Sequence, residues 1–94
     1  MNIIALTDLH NRTGILPKLS SRIQQADIIV LCGDITHFGR RKEVEDIIGR
    51  IRAINPSILA VSGNCDYPEV ENFLAGERLS LNATVREFNG YNFV

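Results

Sequence analysis

Ile28-Ile29-Val30-Leu31-Cys32-Gly33-Asp34 is the stretch on which the fold turns: an unbroken apolar run that ends in a glycine and a carboxylate. A run of this length and character reads as a strand buried on both faces, as in a parallel sheet. Two other stretches repeat the arrangement. Ile3-Ile4-Ala5-Leu6 leads through Thr7 into Asp8, and Ile58-Leu59-Ala60-Val61 leads through Ser62-Gly63 into Asn64. The strands are expected at Asn2–Thr7, Ile28–Cys32 and Ser57–Val61.

The intervening segments carry a helical period. Pro17 is suited to a first turn, where its missing N–H is not needed. Leu16, Leu19, Ile23 and Ala26 then follow at spacings of three and four. A second helix is expected over Lys42–Ile54, with Val44, Ile47, Ile48, Ile51 and Ile54 as its apolar stripe. Asn55-Pro56 ends it, because the residue before proline is pushed out of helical geometry. Pro68 to Gly76 reads as a short third helix, with Val70, Phe73 and Leu74 inward. Thr84–Phe88 and Tyr91–Val94, joined by Asn89-Gly90, predict a hairpin with a type I′ turn.

These elements predict an α/β fold. A βαβαβ core of three parallel strands carries helices on the sheet faces, and a β-hairpin follows at the C-terminus. The crossovers should be right-handed. Ninety-four residues form one domain, 1–94. The sequence stops at Phe93-Val94 inside an apolar strand, so the domain is expected to be truncated and its open sheet edge to favour a homo-oligomer.

Composition excludes several classes. A net charge of −1 gives no general attraction to nucleic acid or to an anionic membrane. No apolar run approaches a membrane span, and Met1-Asn2 leads straight into a strand without a secretory signal, so a cytoplasmic location is expected. Cys32 and Cys65 make no disulfide framework. Cys32 is expected in the core, and Cys65 facing the site. The sequons Asn11-Arg12-Thr13 and Asn82-Ala83-Thr84 are taken as chance.

Asp8-Leu9-His10, Gly33-Asp34 and Gly63-Asn64-Cys65-Asp66 all lie just beyond strands. In an open parallel sheet the loops at the carboxyl ends converge on one crevice. Each cluster has a bland reading. Asp8 caps a turn and His10 is a loop residue; Gly33-Asp34 and Gly63-Asn64 are turn formers. Against this stands their shared position. Asp8 and His10, two apart in an extended segment, point the same way and suit one ion. Oxygen and imidazole donors of this kind suit magnesium, manganese, iron or zinc.

The three ordered motifs in their βαβαβ setting resemble the calcineurin-like metallophosphoesterases. The similarity is greatest to a small bacterial and archaeal branch whose third motif reads Gly-Asn-Cys-Asp. This resemblance implies the first half of an α/β sandwich and a hydrolase of phosphate mono- or diesters. It also implies two divalent ions (manganese, iron, zinc, nickel or magnesium). Asp8 and His10 would hold the first, Asp34 would bridge, and Asn64 would reach the second. Asp34, Asn64 and Cys65 would be the catalytic set, Cys65 replacing a histidine common in the family. A phosphorylated small molecule or phosphodiester would be the partner.

The family's later histidines have no counterpart here. His37 falls outside its pattern and is expected beside the site, at most touching substrate, and not on a metal. Arg40, in the run Arg40-Arg41-Lys42, is the other candidate for phosphate, set against a solvated helix start. With too few ligands for the second ion, the chain alone is expected to turn over weakly. A non-catalytic interaction scaffold on the same fold, as in the retromer subunit, is the alternative; complete first-half ligands argue against it. A phosphorelay receiver would leave the Asn64 cluster unexplained.

Overall fold

The computed structural model describes residues 1–82 and 84–94, so the sequon containing Ala83 falls partly outside the described residues. Three strands, β1 (Ile3–Leu6), β2 (Ile28–Cys32) and β3 (Ile58–Val61), pair in parallel in that order. Between and after them lie α1 (Leu16–Gln25), α2 (Arg41–Arg52) and α3 (Pro68–Gly76). A separate antiparallel hairpin closes the chain, β4 (Arg86–Phe88) with β5 (Tyr91–Phe93). Asn89 and Gly90 both have positive φ, 51° and 82°, as a type I′ turn requires.

A right-handed crossover repeated in one direction puts its helices on the same face of the sheet, and the burial agrees. Ile29, Leu31, Ile58 and Ala60 pack into one core with Ile23 of α1, Val44, Ile47, Ile48 and Ile51 of α2, and Val70, Phe73 and Leu74 of α3. The crossover motif repeats once more after α3. Ala60 donates to the Leu79 carbonyl at 2.8 Å and accepts from the Leu81 N–H at 2.9 Å, an added parallel bridge outside β3.

The alternate residues point to the other face, as the period of two demands. There Ile28, Leu59 and Leu81 form a smaller cluster, against which Val30, Val61, Phe88 and Phe93 pack. The hairpin thus lies against the second face. Two expectations, burial of β1 on both faces and burial of Cys32, are corrected by this asymmetry. β1 is an edge strand with only one covered face, and Ile3 is 50% exposed. Cys32 is exposed, not buried, because it shares the thinly covered face with Ile28 and Val30. The helices cluster on one face and leave the other to the hairpin.

The boundaries of α2 also shift. It starts at Arg41, one residue earlier than the apolar stripe indicates, and ends at Arg52, leaving Ile54 half-buried beyond the helix. Its start lacks a Ser, Thr, Asp or Asn cap. The Glu43 carboxylate instead accepts from the Arg40 N–H at 3.0 Å, half of a capping box. Asn55 does more than stop α2. Its Nδ2 donates to the carbonyls of Ile23 and Ala26, both at 2.9 Å, and its Oδ1 accepts from the Ser57 N–H. One buried amide thereby ties the end of α1 to the start of β3.

Candidate metal centre

Three loops leave the carboxyl ends of the three strands and are stitched together by their backbones. Asp8 N–H donates to the Gly33 carbonyl at 3.3 Å, His10 N–H to Asp34 at 3.0 Å and Asn11 N–H to Ile35 at 3.2 Å. Asp8, His10, Asn11 and Asp34 all hold left-handed backbones, with φ of 56°, 48°, 65° and 49°. Such conformations are uncommon outside glycine and cluster where a site imposes them. The expectation of an extended Asp-x-His segment is therefore corrected. A turn, not strand alternation, brings Asp8 and His10 together.

Asp66 organises the second and third loops. Its Oδ1 accepts from the Thr36 N–H and hydroxyl, both at 2.7 Å, and its Oδ2 from Ile35 N–H at 3.1 Å and Gly63 N–H at 2.9 Å. Phe38 N–H donates to the Cys65 carbonyl at 2.6 Å. Gly63 is required here, because a Cβ would collide with the Asp34 backbone nitrogen and carboxylate. Sequence reading quoted Asp66 in the third motif but gave it no role. Its sequence signal is an aspartate closing a glycine-started turn, Gly63 to Asp66.

Asp8, His10 and Asp34 each offer a donor atom within 4.8 Å of the others. His10 Nε2 stands 3.6 Å from Asp8 Oδ1. The Cys65 N–H, donating at 2.8 Å to Asp34 Oδ1, is the chief cause holding the Asp34 carboxyl below its usual range, with Asp8, His10 and the Asn64 backbone acting in the same direction. Asp34 therefore stays ionised next to a second carboxylate, an arrangement that a cation would relieve. His10 Nδ1 is buried and has no hydrogen-bond partner among the described residues. This donor set fits a divalent metal. Asn64 is exposed on the third loop, directly before the N–H that binds Asp34.

The remaining candidates sit around this group. Cys65 is half-buried; burial first, then the carboxylates of Asp34, Asp66 and Asp8, pushes its thiol up, so it stays protonated at neutral pH. His37 is exposed, with its ring 5.5 Å from that of His10 in an edge-on contact. Arg40 is turned to other partners, bonding Glu69 at 2.6 Å and stacking 4.3 Å from the Tyr67 ring centre. A depression of about 440 Å³ is lined by His10, Arg12 and His37. Arg12 was missed from sequence, although it follows His10 by two residues.

Residues 1–92 match the family described as the calcineurin-like phosphoesterase superfamily domain. The chain belongs to that superfamily. It is 38% identical over 95 residues to an uncharacterised protein of Methanocaldococcus jannaschii, and all of the chain is aligned. It spans 42% of that relative's length. No solved structure matches it. The family is the one that the resemblance of the three motifs implied. Among the described residues, no helix is long and apolar enough to cross a membrane.

Proposed function

We propose that this chain carries the first-ion half of a two-metal phosphoesterase site acting on phosphate mono- or diesters. The supporting observation is the convergence of Asp8, His10 and Asp34 donors, from two separate loops, within 4.8 Å. In this reading Asp8 and His10 would hold one ion, and Asp34 and Asn64 would supply ligands toward a second. When bound, the ions supply positive charge to the phosphoryl oxygens and lower the pKa of an attacking water. Asp34 serves as an ionised carboxylate, for which its hydrogen bond from Cys65 N–H prepares it. In the same proposal Cys65, half-buried on the third loop directly after Asn64, faces the substrate. Arg12 at the rim of the depression offers charge to an incoming phosphate.

Asp34 and Asn64 are the only donors proposed for the second ion within these residues, so weak turnover by this chain alone belongs to the same reading. So does self-association through an exposed sheet edge at the C-terminal hairpin. The test is calorimetric titration with Mn²⁺ of the parent and Asp34→Asn, alongside a phosphodiester assay. Manganese affinity should fall by at least about tenfold in the variant, and any hydrolysis should vanish. Equal manganese affinity in the two chains would reject the site.

A further inference from the structure

We propose that His10, His37 and Cys65 form a second, softer metal site that takes zinc and competes with the Asp8–His10–Asp34 group for His10. The proposal rests on the reading above only for that shared histidine. One nitrogen from each imidazole and the Cys65 sulfur lie within 4.8 Å of one another. Zinc bonds of about 2.0–2.3 Å set tetrahedral donor separations of about 3.5 Å, so a modest rotation of the exposed His37 closes the set. Two imidazoles and a thiol are zinc donors, whereas two carboxylates and an imidazole favour manganese or magnesium.

The juxtaposition is built, not incidental. His37 lies between Thr36, whose hydroxyl and N–H bind Asp66, and Phe38, whose N–H binds the Cys65 carbonyl. The same short loop that presents Cys65 thus clamps the backbone on both sides of His37. Gly39 pairs with Asp66 in a bridge and leaves no room for a Cβ beside Thr36 and Glu43. The 5.5 Å ring contact then sets His37 against His10, whose Nδ1 is buried without a partner among the described residues. These placements argue against the sequence expectation that His37 stays off any metal.

Sharing has a consequence. A neutral imidazole has one lone pair for a metal, so His10 serves one group at a time. Zinc at the His–His–Cys group withdraws His10 from Asp8 and Asp34 and should weaken manganese binding there. The softer site would act as a zinc-sensitive brake on the harder one.

The experiment titrates this chain with Co²⁺, Zn²⁺ and Mn²⁺, reading cobalt absorption and calorimetric affinity. The parent should show a sulfur-to-cobalt charge-transfer band, and Cys65→Ser should lose it. His37→Gln should weaken zinc binding by at least about tenfold and leave manganese binding unchanged. Asp8→Asn should do the reverse, and saturating zinc should weaken manganese binding to the parent. A parent without the band, or unchanged zinc affinity in His37→Gln, overturns the proposal. His37 is exposed, so that variant decides the matter even where Cys65→Ser misfolds. If Asp8→Asn leaves manganese unaffected while the cobalt results hold, the phosphoesterase site fails and the zinc site stands.

Discussion

On the helix side of the sheet, Ile29, Leu31, Ile47, Ile48 and Ile51 are each at most 2% exposed and pack against other apolar side chains. A few residues away, at the carboxyl edge of the same strands, Asp8, His10 and Asp34 sit on left-handed backbones beside exposed or half-buried polar neighbours. The first region is held by non-directional burial, which tolerates small shifts. The second is held by directed hydrogen bonds onto Asp66 and Asp34, which do not. Strain in the loops is sustained because those hydrogen bonds hold the backbone from several sides. A metal site needs donors in definite places, and only the second kind of construction provides that.

The largest effect should come from the core. Ile51→Ala removes a fully buried side chain from the α2 face and should cost about 2–5 kcal/mol, read as a lower urea midpoint. For a domain of this size that is much of the available stability. An unchanged midpoint would show that the helix face is not the main support of the sheet, and the contrast between the two regions would collapse.

Asp66→Ala should act mainly at the loops. It strips the carboxylate acceptor from Ile35, Thr36 and Gly63. Amide hydrogen exchange should quicken at those three residues and hardly change in α2. Uniform quickening across both regions would mean that they unfold as one unit and that Asp66 has no special hold on the loops.

The same division explains what the sequence revealed. Strand and helix positions follow from apolar period and run length, so Ile47, Ile48 and Ile51 were readable as core, and Asn89-Gly90 as a type I′ turn. Burial on the second face was not readable, since Ile3 and Cys32 look like any strand residues until one knows which face carries helices. The positions of Asp8, Asp34 and Asn64 beyond strands were readable too. How Asp8 and His10 meet was not, because left-handed turns in non-glycine residues are imposed by distant hydrogen bonds. Nor was the approach of His37 to His10, which depends on Thr36 and Phe38 binding a loop about thirty residues further along.

The smallest effect sharpens the contrast from within the helix layer, at a directed polar contact at the start of α2. Glu43 accepts the Arg40 N–H, and that bond is the first cause holding its carboxyl below the usual range, with bonds and charges at Arg40, Lys42 and its own N–H adding to it. A carboxylate whose folded pKa lies below its unfolded one stabilises the fold above the unfolded pKa and loses that contribution as pH falls through the folded one. Glu43→Ala should therefore lower the urea midpoint slightly at neutral pH, and the gap to the parent should close in acid. Alanine's higher helix propensity offsets part of the loss at all pH values and so cannot mimic the trend. The partner Arg40 also bonds Glu69, so the α2 start keeps a second tether when Glu43 is removed. A gap that stays constant from neutral to acid pH would assign the effect of Glu43 to packing, and would make the whole helix layer, its start included, a structure of burial alone.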